Sequence, residues 1–507
     1  MAKRKNIIFY FSDQQRWDTV NETVTPNLMQ LAKEGTLFEN NFTCQPVCGP
    51  ARACLQTGVY ATQCGCYWNG IPLPESITPL AHYFNEAGYD TAYVGKWHLA
   101  SDRLPGIGTH CEATPVPKEK QGEYRYWRAA DVLEFTSHGY DGYIFDGDGN
   151  KLDFTGYRAD CINDFALEYL ESGREADKPF FLFISQLEPH HQNDHHHYEG
   201  YKETVNQYKD YPLPPDLTFL KGDYKEMYPD YISAINRLDY NVGRLVQKLK
   251  DLGIYDDTVI IYSSDHGSHF KTRNLEYKRS CHDSATHTPL IIKGGGFDGG
   301  KAENRLTSLI DLPPTFLSLA GIPIPPSYMG KDLCQMQQTT QPLHDCVFMQ
   351  ISESQCGRAI RTDRFKYAVR TLAPTGYLKY NAGVYFEDYL YDLEKDPIER
   401  CNLIRDPRYS HVRQEMKYLL LREMKNEIYF AVVSGYGRSI SEVGAVFLVG
   451  GNIKNSTRTM TTAISTLKGA GDYYEGVFLG VILMLLAFVV QTLAEHFRQE
   501  ETPDENL

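Results

Sequence analysis

Cys44–Gly58 reads CQPVCGPARACLQTG, with Cys48-Gly49-Pro50-Ala51-Arg52 at its centre. Pro50 suits a first helical turn, because proline has no N–H to lose there and its φ is already helical. Cys48 then stands at a helix N-terminus, where unpaired N–H groups and the helix dipole favour an anion. Arg52 adds a fixed cation with a fork that suits a tetrahedral oxyanion. Thr57-Gly58 closes one or two helical turns. The stretch offers a nucleophile beside an anion pocket; the plain alternative is a buried structural thiol.

Around this centre lie 507 residues, enough for one large α/β domain and a smaller one. The net charge of −14 with no compensating basic stretch excludes nucleic acid as a partner. The N-terminus, MAKRKNIIFYF, runs from a short basic cluster straight into an apolar segment too short for a signal peptide. With 12 scattered cysteines, this predicts a cytoplasmic catalytic domain with reduced thiols.

Three apolar runs read as buried strands, and each ends in groups able to do chemistry. Asn6–Phe11 leads into Ser12-Asp13-Gln14, where a carboxylate and an amide carbonyl suit a hard divalent cation. Thr91–Val94 leads into Gly95-Lys96-Trp97-His98, a cation and a titratable base two residues apart. Thr258–Tyr262 leads into Ser263-Ser264-Asp265-His266. Open α/β sheets place their sites at such carboxyl ends. A further strand, Pro179–Ser185, precedes Glu188-Pro189-His190-His191 and the run Asp194-His195-His196-His197. Adjacent histidines on extended chain point in opposite directions, so the run reads as a solvated loop. Asp230–Leu252 has an apolar helical stripe that leaves Asp239 on the helix surface or behind the site.

C-x-P-x-R followed by Thr-Gly resembles the signature of the type I, formylglycine-dependent sulfatases of the alkaline-phosphatase superfamily. GKWHL, the strand-then-Pro-His motif and both acidic pairs follow in the family's order, over about residues 5–425. The resemblance implies an alkaline-phosphatase-like α/β fold: a large, mostly parallel sheet between helices, then a small antiparallel sheet and helix. It implies that a formylglycine-generating maturation enzyme oxidises Cys48 to 3-oxoalanine. It assigns catalytic roles to Cys48, Arg52, Lys96, His98, His190 and Lys278, with His191 competing for the place of His190. It assigns Asp13, Gln14, Asp265 and His266 to one metal ion. Ca²⁺ is the first choice, with Mg²⁺, Mn²⁺ or Zn²⁺ as alternatives because His266 is a less usual ligand for Ca²⁺. The implied substrate is a sulfated saccharide or an aryl sulfate. The nearest alternative is a phosphonate monoester or phosphodiester hydrolase of the same superfamily. Residues 101–175, polar and aromatic without a clear period, are expected to build the substrate cleft, with His282 as a weaker candidate for its wall.

These readings divide the chain into a catalytic domain at 1–340, a subdomain at 341–426 and a tail at 427–507. Residues 435–465 resemble the late loop and helix of a tungstate/molybdate-type ABC-transporter permease. Residues 477–494 are nearly all apolar and are expected to span a membrane, anchoring the protein there. A transporter subunit is the alternative from a different class, resting on this tail alone.

Overall fold

The computed structural model describes residues 4–102, 110–374, 376–425, 460–470 and 472–499. The chain forms two compact units, Met1–Lys417 and Tyr418–Leu507. In the first, an 11-stranded sheet carries the core. Its central strands, in the spatial order Thr258–Ser264, Asn6–Ser12, Phe180–Ser185, Asp90–Lys96 and Tyr126–Ala130, run parallel. The flanking Leu290–Lys293 and Asp141–Asp146 strands run antiparallel to their neighbours. Ile7 to Phe11 are completely buried, as an uninterrupted apolar strand must be when both sheet faces are covered. Phe9, Phe183 and Phe316 pack on one face, their ring centroids within 4.8 to 4.9 Å of Phe9. Helix Tyr224–Asp251 contributes Leu238, Val242, Leu245 and Leu249 to the other.

Asp239 is buried rather than on the helix surface. Its carboxylate accepts the N–H groups of Asn27 at 3.0 Å and Leu28 at 2.7 Å. Those N–H groups belong to the first turn of helix Pro26–Glu34 and have no partner within that helix. The carboxylate therefore caps one helix from another.

The smaller sheet is antiparallel: Val347–Ile351, Gly357–Arg361, Phe365–Arg370 and Phe386–Asp392, in that order. RAIRTDRFKYAV is a hairpin of two of these strands. Helix Ser410–Glu423 follows.

In the second unit, helix Met460–Ala470 packs against helix Tyr473–Gln499. Most of the permease-like stretch, 435–459, lies outside the described residues. Among the described residues no helix is long and apolar enough to cross a membrane, which corrects the expected transmembrane helix at 477–494. The uninterrupted apolar part, 477–490, is 14 residues before Gln491 and Thr492. At about 1.5 Å per residue it falls short of a hydrocarbon core about 30 Å thick. Leu479, Gly480, Ile482 and Leu483 are half-buried.

Candidate active site

Cys48 opens helix Cys48–Thr57, every residue of which is buried, and Gly58 ends it in a left-handed conformation at φ 70°. Its N-terminus meets the carboxyl ends of four sheet strands, carrying Asp13-Gln14, Lys96-Trp97-His98, Pro189-His190 and Asp265-His266. Gly95 makes the meeting tight. It sits at φ 110°, and a Cβ there would lie 1.9 Å from the Ser185 carbonyl oxygen. The Lys96 carbonyl then accepts from Ser185 Oγ at 2.7 Å and from Arg52 Nη1 at 2.9 Å. Gln14, His98 and Arg279 adopt positive φ without being glycine, at 71°, 61° and 67°. Such conformations persist only where the surroundings over-determine them, and they cluster at functional sites.

Asp13, Cys48, Asp265 and His266 bring one ligand atom each to within 4.8 Å of one another. His266 Nδ1–H donates to the Gly267 carbonyl at 2.9 Å. The Nε2 lone pair then faces Cys48 Sγ at 3.3 Å, Asp13 Oδ1 at 3.7 Å and Asp265 Oδ1 at 3.6 Å. Asp265 Oδ2 is buried without a hydrogen bond, 3.7 Å from Arg52. The Gln14 amide nitrogen donates to Tyr198 Oη at 2.8 Å and to Ser268 Oγ at 3.3 Å, which leaves its carbonyl oxygen as the ligand it can offer. Two carboxylates, an amide oxygen and a neutral imidazole suit a divalent cation. The orphaned Asp265 oxygen is what a cation would satisfy.

The charges agree with that fit. Burial raises the Asp265 carboxyl to about 7, and neighbouring Asp13 adds to the shift. Burial lowers His266 to about 4, so its imidazole is neutral. Burial alone would also raise Asp13, but Lys96, His190, Lys278 and Arg52 outweigh it and hold Asp13 well below the usual carboxylate range. Lys96 Nζ is 2.9 Å from Asp13 Oδ2, and Arg52 Nη2 donates to the same oxygen at 3.0 Å. Arg52 thus grips a metal-type carboxylate directly.

Lys278 crosses the site. Its ammonium nitrogen is 2.7 Å from Cys48 Sγ and 3.1 Å from His190 Nε2. Burial and the charge of Lys278 push His190 well below the ordinary imidazole range. His98 lines the same cleft as Cys48, His190 and Lys278, a space of about 860 Å³. All ten residues expected at the site are buried around it.

The cleft wall differs from expectation. Among the described residues of 101–175, Val132, Glu134 and Phe135 line it; with Gln14, Cys48 and His98, the other described lining residues come from 67–71, 190–196, 271–279, Glu353 and Leu378. His282 lies elsewhere, its Nε2 3.1 Å from Tyr391 Oη of the small sheet. His195 is exposed as a loop residue should be, whereas Asn193 and His196 reach the cleft. Glu134, 3.3 Å from Lys96 Nζ, and Asn69, which accepts the Gly49 N–H at 2.8 Å, sit in stretches without period or motif. No local sequence signal points to either.

Residues 5–322 match the sulfatase family model, and 274–426 match the C-terminal model of N-sulphoglucosamine sulphohydrolase. The chain belongs to the sulfatase family. An Escherichia coli sulfatase, YidJ, is 30% identical over 458 residues, covering 83% of this chain and 87% of its own. An ulvan-active sulfatase from Formosa agariphila is 28% identical, covering 83% of this chain and 81% of its own. A structure solved with D-glucosamine-2-N,6-O-disulfate superposes with a TM-score of 0.70 at 22% identity, covering 83% of this chain and 98% of that one. The phosphonate monoester hydrolase of Silicibacter pomeroyi shares the fold at a TM-score of 0.62 and 20% identity, covering 83% and 95%. This sulfatase therefore has the alkaline-phosphatase fold and hydrolyses sulfuric esters. Its matched residues end at 426.

Proposed function

We propose that this sulfatase acts through formylglycine at position 48, made from Cys48 by a formylglycine-generating maturation enzyme, and through one divalent cation. The observation that carries the reading is the ring of groups on the Cys48 sulfur. Lys278 Nζ lies at 2.7 Å, His266 Nε2 at 3.3 Å and Asp13 Oδ1 at 3.4 Å. A structural thiol packs among apolar groups; this one sits among an ammonium, a carboxylate and an imidazole drawn from three distant segments.

Asp13, Gln14, Asp265 and His266 would hold the cation, Ca²⁺ by family resemblance. When bound, it polarises the sulfate oxygens and lowers the pKa of the attacking hydroxyl on residue 48. Lys96 and Lys278 offset the charge that builds on the sulfate group as its S–O bond to the alcohol breaks. Arg52 acts through Asp13 by fixing its carboxylate. His190 assists the leaving alcohol oxygen. His98 removes the proton from the second hydroxyl of residue 48. The bond to sulfate then breaks and the aldehyde returns.

The substrate is a sulfated carbohydrate or aryl sulfate. Tryptic mass spectrometry of active protein, together with inorganic-sulfate release from a panel of sulfated sugars and 4-nitrophenyl sulfate, tests the reading. An unmodified Cys48 in fully active protein would overturn it. Competition between sulfate esters and bis(4-nitrophenyl) phosphate separates it from the phosphodiesterase alternative, which predicts the phosphodiester to be preferred.

A further inference from the structure

One buried group in the cleft has no role in this chemistry. His191 is 4% exposed and lines the cleft. Its ring lies on that of Tyr277, centroids 4.3 Å apart at 28°, and meets Tyr198 edge-on at 5.2 Å. Tyr277 is itself anchored, donating its hydroxyl to Asp223 at 2.7 Å. His191 Nδ1 pairs with Asn193 Oδ1 at 3.3 Å. An amide oxygen accepts only, so Nδ1 carries the proton and Nε2 presents a lone pair. That Nε2 is buried without a hydrogen bond.

A second acceptor stands on a segment tied to the first. Glu134 also lines the cleft, and its Oε1 accepts from Lys96 at 3.3 Å. Its Oε2 lies 3.2 Å from the same ammonium, in ion-pair range, but makes no hydrogen bond. Gln192, next to His191, donates to the Glu134 carbonyl at 3.0 Å, while Arg158 holds the Gln192 side chain at 3.1 Å. Both acceptors are therefore held by a braced wall. Among the described residues the rim cations are already spent: Lys271 on Asp223 at 2.9 Å, and Arg279 on Glu276 and Glu353.

We propose that His191 Nε2 and Glu134 Oε2 each accept a hydrogen bond from a hydroxyl of the group that carries the sulfate ester, so that the preferred substrate is a neutral sugar sulfate with free hydroxyls. Filling the cleft with a group without such donors leaves His191 Nε2 with no partner and Glu134 Oε2 with no hydrogen bond, both cut off from water. Sites built to bond a hydroxyl reject analogues lacking it far more strongly than apolar pockets reject an extra methylene. A flat aryl ester and a quaternary ammonium ester have no O–H to offer. With the rim cations neutralised, a second anionic group on the sugar gains nothing.

The inference rests on the sulfatase reading, and the test separates the two. Inorganic-sulfate release is followed for sulfated methyl hexosides, their single-deoxy analogues and 4-nitrophenyl sulfate. In the wild type, two deoxy positions of the best hexoside each lower kcat/KM at least tenfold. His191→Phe keeps the ring on Tyr277 and removes the acceptor. It lowers kcat/KM for the hexoside at least tenfold more than for 4-nitrophenyl sulfate, and its loss does not multiply with that of the deoxy position facing His191. Equal losses on both esters, or a wild type indifferent to every deoxy position, overturn the proposal. Sulfate release from the aryl ester alone defeats this inference but leaves the sulfatase reading intact; release from no ester defeats both. The deoxy series in the wild type decides the matter even if the variant does not fold.

Discussion

Lys278 places its ammonium 2.7 Å from the sulfur of Cys48, although 230 residues of chain separate them. A buried cation so close to a thiol favours its anionic form, yet burial and Asp13 still hold the Cys48 thiol above its ordinary range. The contact therefore reads as a grip on whatever oxygen occupies this position in mature protein. Lys278→Ala is expected to lower kcat about 10²- to 10³-fold, the scale of losing one aimed donor. Cys48→Ala abolishes turnover while the unfolding midpoint stays near wild type. Steady-state kinetics and urea unfolding check both; full activity in Cys48→Ala sinks the mechanism.

Removing divalent cations is expected to abolish sulfate release, and restoring them to recover it. Asp265→Asn keeps an oxygen to accept the Gln14 and His266 N–H groups, each at 2.9 Å, and replaces the Oδ2 that has no hydrogen bond, so the protein should fold without recovering activity on metal addition. Undiminished rates after exhaustive chelation, with metal content checked by elemental analysis, count against the Asp13, Gln14, Asp265 and His266 site.

Lys96 and His98 should fail at different steps. Lys96→Ala slows formation of the covalent sulfate adduct, because a charge on the transferred group is lost. His98→Ala lets the adduct form and accumulate, because the base for elimination is gone. Intact-protein mass spectrometry after rapid quench distinguishes them, and an adduct-free His98→Ala that still undergoes attack contradicts the division.

Among the described residues, those lining the cleft lie between Gln14 and Leu378, and the family match ends at 426. A chain ending at 426 should therefore keep the kcat/KM of the full chain. A large loss would show that the second unit supports the site.

His287 lies between Trp17 and Phe42, centroids at 4.4 and 4.5 Å, and donates Nε2–H to the Glu39 carbonyl at 2.7 Å. Burial lowers it to about 3. The unfolded chain takes up this proton near pH 6.5, so the folded state has its full advantage above that pH. The advantage is lost as pH falls from 6.5 toward about 3, at up to about 1.4 kcal/mol per pH unit. His287→Phe should flatten the fall in urea midpoint between pH 7 and pH 5. An unchanged pH slope removes His287 as a source of acid lability.

The strands ending at Asp13, Lys96 and Asp265 were legible because an uninterrupted apolar run has one economical place, inside a covered sheet. The helix at Cys48 was legible from Pro50 and Gly58, whose backbone preferences are local. The sequence by itself thus determined the elements, their class and the chemical groups at their ends. Only the tertiary structure decided which groups meet. Arg52 turned to Asp13, Asp239 became a cap for Asn27 and Leu28, and Glu134 joined Lys96 from a stretch with no period. His282 went to the small sheet, and His191, a competitor for the place of His190 in sequence, lies on Tyr277. The apolar tail was misread as a span because hydropathy counts residues, whereas crossing a membrane needs an unbroken apolar length. Local backbone preference and burial act over a few residues and can be read along the chain. Charge pairing and ring stacking act between segments hundreds of residues apart, and only the packed sheet sets those distances.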